Sequence, residues 1–179
     1  MRDRTTRSAG ILPYRRRRNT EVYLGHMGGP FWARKDRSWS IVKGLIEGDE
    51  DALDAARREF LEETGNPIAA PLEPLGEFRQ PSGKLIIAFV ADVEELPPVT
   101  SPGTFELEWP PRSGRVQTFP EIDDARWFDL DAAGSKLVLG QLPILDAVRR
   151  LNSHSAGRRA SAGEAGNEIH SGCENTDTE

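Results

Sequence analysis

The sequence predicts a domain that mixes strands and helices, in the α/β or α+β class. Three observations predict it. Apolar segments of strand length recur between residues 8 and 128. One amphipathic stretch at 50–64 carries helical spacing. A second apolar helix closes the pattern at 142–151. The order is two strands, a short strand, helix, hairpin, strand, helix. With 179 residues the chain is long enough to bury a substantial core.

Ser8 to Tyr14 and Glu21 to Met27 read as strands around a basic turn that holds Arg15, Arg16, Arg17 and Arg18. Gly28, Gly29 and Pro30 end the second strand. Trp39 to Val42 reads as a short strand running into Lys43 and Gly44. The helix is expected from about Glu50 to Thr64, with Asp49 as N-cap and Gly65 and Pro67 as the stop. Leu53, Ala56, Phe60 and Thr64 form its apolar side. Leu75 to Gln80 and Lys84 to Val93 form a hairpin around Pro81, Ser82 and Gly83. Residues 96–120 contain six prolines and little periodicity, so they read as a long functional loop, extended in part where Phe105, Leu107 and Trp109 alternate. Ala125 to Phe128 is the last strand and Leu142 to Leu151 the last helix. Residues 152–179 are rich in Ser, Gly, Ala and charge. The expected organisation is a domain over 1–151 and a disordered tail over 152–179.

Composition narrows the function. The net charge of −6 argues against a long nucleic-acid partner. No apolar run approaches the ~20 residues of a membrane helix, and Met1 to Arg7 have no apolar run behind them, so a cytoplasmic protein without a membrane partner is expected. The one cysteine, Cys173, excludes an intrachain disulfide and a cysteine zinc cluster. Charge is uneven: residues 1–18 carry seven arginines and one acid, whereas residues 44–65 carry eight acids and two arginines.

That acidic block is where chemistry is sought. On a helix, Glu59, Glu62 and Glu63 fall within about a 100° arc, beside the apolar stripe rather than opposite it. Like charges at these spacings cost some tenths of a kcal/mol per pair, a cost that a bound cation would offset. Clustered carboxylate oxygens suit Mg²⁺ or Mn²⁺. The plain alternative is a solvated helix face, with Asp54–Arg58 and Arg58–Glu62 pairs at i,i+4.

The spacing decides between them. Gly44, five residues, Glu50, seven residues, then Arg58-Glu59-Phe60-Leu61-Glu62-Glu63-Thr64-Gly65 resembles the signature of the Nudix hydrolase family. Seven fixed residues match, an agreement that chance gives about once in 10⁸ windows. Asn66 departs from the pattern, which has an aliphatic residue there. Trp39 to Gly44, and Glu121-Ile122 followed by Trp127-Phe128, resemble the branch that handles dinucleoside polyphosphates and diphosphoinositols, although Val42 stands where that branch has proline.

The resemblance implies a mixed sheet packed between helices. It implies Gly44, Glu59, Glu62 and Glu63 as metal ligands, with Glu50 and Arg58 bracing the helix and orienting Glu59. It also implies an acid or base role that Glu62, Glu63 or Glu121 could fill. Lys43 reads as a phosphate contact or as a solvated lysine. Trp32 and Trp39 read as base-stacking or core residues, and Arg112 and Arg115 as phosphate contacts or solvated side chains. The expected function is a divalent-metal-dependent pyrophosphohydrolase. It would cleave a diphosphate linkage in a nucleoside diphosphate joined to another moiety, such as a dinucleoside polyphosphate or a nucleoside triphosphate. The alternative is a Nudix-fold nucleotide sensor without turnover. Neither the substrate nor the oligomeric state is legible in the sequence.

Overall fold

The computed structural model describes residues 6–164, with side chains through 153. Cys173 and the end of the expected tail lie outside the described residues. The elements, in order, are β1 (Arg7–Arg16), β2 (Thr20–Met27), β3 (Trp39–Ser40), β4 (Val42–Leu45), α1 (Ala52–Thr64), β5 (Glu73–Arg79), β6 (Leu85–Asp92), β7 (Thr104–Glu108), β8 (Val116–Pro120), β9 (Ile122–Asp129), α2 (Leu130–Lys136), a 3₁₀ turn (Leu139–Gln141) and α3 (Leu142–Glu164).

β1 is the hub. It is buried from Ser8 through Arg15, as expected of a strand covered on both faces. It runs parallel to β6, from Arg7 opposite Leu85 to Tyr14 opposite Asp92. Its other edge is shared. β4 pairs with it at Ser8–Ile11, and β2 at Tyr14–Arg16, both antiparallel. The sheet order is β3-β2-β1-β6-β5, with β4 on β1 and β9 on β2.

The two-residue period of the strands sorts their side chains between two cores. Leu12 and Tyr14 of β1 join Ile86, Ala88 and Val90 of β6 on one face, under Ala133 of α2 and Ile144, Leu145 and Val148 of α3. Ala9 and Ile11 join Phe89 and Ala91 on the other, under Ala55, Ala56 and Phe60 of α1. A mixed sheet between helices is therefore the architecture, in agreement with the expected class.

Several boundaries differ from the sequence reading. The N-cap of α1 is Asp51, not Asp49. Its carboxylate accepts from the Leu53 amide at 2.8 Å. Gly65 ends the helix at φ 74°, a conformation glycine adopts without a Cβ clash. Residues 104–108 are extended where Phe105 and Leu107 alternate, and 116–120 are a strand rather than loop. β7 and β8 pair from Thr104–Pro120 to Glu108–Val116 and form a separate two-stranded ribbon. The prolines hid this ribbon because they sit at its ends and tip. Helix α2, capped by Asp129 accepting from the Asp131 and Ala132 amides, went unread. Helix α3 continues to Glu164, past the expected end at Leu151. No described helix is long and apolar enough to cross a membrane.

The basic β1–β2 turn is held by acids. Arg15 bonds Glu21 at 2.6 Å, Arg16 bonds Asp92 at 2.6 Å, and Arg17 pairs with Glu95. The Arg15 guanidinium also lies 4.2 Å from the centre of the Trp127 ring.

Candidate active site

The last turns of α1 carry Glu59, Glu62 and Glu63. Glu59 and Glu63 are buried, and Glu62 is exposed. Strand β4 passes directly over them. A Cβ built on Gly44 would stand 1.8 Å from Glu59 Oε2, so only glycine leaves room for that carboxylate against the strand. The neighbouring Lys43 amide donates to Glu63 Oε2 at 3.2 Å.

Arg58 ties this helix to the loop before it. Its Nε and Nη2 grip both oxygens of Glu50, at 3.0 and 2.9 Å. Nη1 donates to Glu59 and to Glu62, each at 2.9 Å, and Nη2 also donates to the Leu45 carbonyl at 2.9 Å. The Asp54–Arg58 pair of the solvated-face alternative is not among these contacts. Bonding to Arg58 holds the Glu50 carboxyl below its ordinary range. Burial acts the other way on Glu59, whose carboxyl is raised despite Arg58. Burial pushes Glu63 up to about 8, only partly offset by the Lys43 charge and amide.

Glu121, between β8 and β9, reaches the same place from the later part of the chain. Its amide donates to the Gly103 carbonyl at 2.7 Å, and its own carbonyl accepts from Gly28 at 2.9 Å. The Gly103 amide donates in turn to the Glu62 carbonyl at 2.8 Å. Segment 98–103 thus takes up carbonyls that the end of a helix leaves unpaired. Thr100 bonds the Thr64 carbonyl at 3.1 Å, and Asn66 Nδ2 bonds both Thr64 O and Pro98 O. Asn66, the departure from the family pattern, ties the helix end to this strap by hydrogen bonds.

These groups open into one cavity of about 440 Å³. Gly44, Arg58, Glu59, Glu62, Glu63 and Glu121 line it, with Lys43, Trp32, Phe105 from the segment read as a functional loop, and two residues the sequence reading passed over: Glu47 and Lys84. Lys84 sits at the β5–β6 turn, next to Leu85, which the parallel pairing of β6 with β1 sets opposite Arg7. Phe105 arrives with the β7–β8 ribbon and packs over Gly29. Lys84 had no local signal, since its place depends on a strand pairing distant in sequence.

Three expected contacts are not brought here. Trp39 is buried in the α2–α3 core, edge-on to Phe128 at 4.7 Å, because its register opposite His26 on β2 turns it to that face. Arg112 and Arg115 lie exposed at the tip of the ribbon, outside the cavity lining.

Among the described residues, no group of three or more acids and histidines already forms a metal cage. Glu59 and Glu62 are turned onto Arg58, and Glu63 onto the Lys43 amide. The donor set nevertheless fits a hard divalent cation. Five carboxylates face one cavity with a single arginine among them, and two are buried without full compensation.

The comparisons with known proteins agree with this geometry. The family model described as the NUDIX domain matches residues 4–148. The chain belongs to the Nudix hydrolase family, whose common chemistry is phosphoanhydride cleavage with divalent metal. A curated relative, an uncharacterized 17.7 kDa protein in the e-segB intergenic region of enterobacteria phage T4, is 42% identical over 86 residues, 44% of this chain. The chain spans 54% of that protein, about half its length. The fold resembles that of a C. elegans Ap4A hydrolase binary complex, with a TM-score of 0.57 and 19% identity over 84% of this chain and 98% of that one. It also resembles the Nudix domain of Shewanella oneidensis NrtR complexed with ADP ribose, with a TM-score of 0.54 and 16% identity over 80% and 86%. A third likeness is the C-terminal domain of mouse MUTYH in complex with human PCNA, with a TM-score of 0.55 and 14% identity over 84% and 91%. At these identities the structural likeness concerns the fold alone.

Proposed function

We propose that the protein is a Mg²⁺-dependent pyrophosphohydrolase (Mn²⁺ serving as well) that cleaves a diphosphate linkage in a nucleoside diphosphate joined to another moiety. Dinucleoside polyphosphates and nucleoside triphosphates are the substrate classes in view, and the cytoplasm is the setting. One observation carries the reading: a single cavity collects Glu59, Glu62, Glu63 and Glu121 together with Lys43 and Lys84. Anions that hold a cation sit beside cations that hold phosphate.

In this reading the metal would be held from among Glu59, Glu62, Glu63 and the Gly44 carbonyl. When bound, the ion supplies charge neutralisation at the phosphate oxygens and a more acidic water. Arg58 and Glu50 brace the helix so that Glu59 keeps its place under Gly44. Lys43 and Lys84 take phosphate oxygens. Trp32 and Phe105 provide apolar wall for the group beyond the phosphates. A carboxylate not engaged by metal, one of Glu62, Glu63 and Glu121, takes the proton from the attacking water.

The retention of every box acid supports turnover over a sensor role, because a module that only binds nucleotide has no need of them. A panel of nucleotide polyphosphates with Mg²⁺ in ¹⁸O-labelled water tests the reading. Metal-dependent products carrying the label at one phosphorus are expected. Tight binding with no product across the panel would replace the enzyme with the sensor.

A further inference from the structure

We propose that Gly103 is a positioning residue for catalysis, holding the Glu121 carboxylate in the cavity by leaving it the space a side chain would fill. This rests on the hydrolase reading above and adds to it a residue outside the Nudix box. A Cβ built on Gly103 would lie 2.6 Å from Glu121 Oε2 and 3.4 Å from its Cδ. The backbone itself makes no demand for glycine, since the φ of Gly103 is not in the left-handed region. Space, not conformation, requires the glycine.

The atom that a methyl group would displace is the far end of a flexible side chain, so the fold can yield at little cost. The carboxylate cannot yield without leaving its place. The surroundings fix Gly103 while this happens. Its amide bonds the Glu62 carbonyl at 2.8 Å, and its carbonyl bonds the Glu121 amide at 2.7 Å. The carbonyl of Glu121 is held in turn by Gly28, where a Cβ would stand 2.0 Å from Pro120 O. One residue thus joins the backbone of the metal-binding helix to the backbone of the fourth acid. Alanine there leaves both joints intact and moves only the acid. Misplacing a reacting group by about 1 Å costs up to about 100-fold in rate.

The test is a double-mutant cycle on the full chain with Gly103→Ala, Glu121→Ala and both together. It reads kcat, KM and Tm with Mg²⁺ and whichever nucleotide of the panel turns over. Gly103→Ala is expected to lower kcat by roughly 10–100-fold, with KM and Tm little changed. The double variant should be no slower than Glu121→Ala alone, because the methyl group has nothing left to displace. Full kcat in Gly103→Ala, or losses that multiply in the double variant, would overturn the proposal. If Gly103→Ala does not fold, folding restored by Glu121→Ala supports it, and failure in both backgrounds overturns it. Full activity in Glu121→Ala also overturns it. The hydrolase reading stands or falls separately, on whether Glu63→Gln is inactive.

Discussion

Arginine meets carboxylate in two places in this molecule, and the balance of charge differs between them. At the β1–β2 turn, Arg15, Arg16 and Arg17 face Glu21, Asp92 and Glu95. The charges cancel, most of the partners are well exposed, and the network joins the turn to the end of β6. At the end of α1 one arginine faces Glu50, Glu59 and Glu62, with Glu63 and Glu121 on the same cavity. Negative charge is in excess there, and part of it is buried. A balanced network fastens a loop, whereas an unbalanced one leaves a place for a cation. Counting charges along the chain puts the basic turn and the acidic helix on an equal footing. The pairing of each charge separates them.

Substitutions can break that contrast, and the largest effect is expected at the unbalanced network. Glu63→Gln, or Glu62→Gln, should lower kcat by about 100-fold or more, with the circular dichroism spectrum unchanged. Full turnover by the double Gln variant would remove the metal assignment. Next comes Arg58→Ala, which frees Glu50, Glu59 and Glu62 at once. It should cost about 2 kcal/mol in urea unfolding and lower kcat as well. Arg16→Ala should cost at most about 0.5 kcal/mol, as an exposed pair does. Equal losses for the two arginines would erase the distinction.

A third measurement sharpens it through pH. The Glu63 carboxyl is raised by burial to about 8, above its unfolded value of 4.5. Such a group favours the fold when protonated. Its contribution is fully present below pH 4.5 and is lost as pH rises through about 8. In EDTA, Glu63→Gln should therefore melt higher than the parent, by a margin that opens over this window. Adding Mn²⁺ should raise the parent's Tm and leave that of the variant in place. A margin independent of pH would show that burial of Glu63 is not the cause. The smallest effect is expected at the ribbon tip, where Arg112→Ala with Arg115→Ala should leave KM within about twofold; a several-fold rise would bring the tip to the substrate.

What could be read from the sequence follows the reach of each contact. Glu59, Glu62, Glu63 and Arg58 lie on one helix, so their meeting is fixed by helical spacing, and the sequence reading found them. Gly44 and Glu50 lie close enough for the same motif to include them. Lys84 enters the cavity only through the parallel pairing of β6 with β1, and Phe105 only through the β7–β8 ribbon. No local pattern encodes the first, whereas the second lies in a local apolar alternation. Trp39 shows the converse. Its residue type suits a stacking wall, but a two-residue strand gives no periodicity to say which face it takes, and the register with β2 buries it. The prolines of 96–120 masked a ribbon whose apolar alternation at Phe105 and Leu107 was visible.

The hydrogen-bonded relay from Glu62 through Gly103 and Glu121 to Gly28 also bears on how the chain folds. Its Gly28 and Glu121 are about ninety residues apart, and closing so long a loop comes late when local structure forms first. The helix with three of the acids can form early from neighbouring residues. The fourth acid joins only when the last strand docks beside the second. A folding intermediate holding the helix alone would have the motif without the cavity. Recovery of activity should therefore lag behind recovery of helicity in a refolding experiment, and the amide protons of Gly28, Gly103 and Glu121 should gain protection from exchange together.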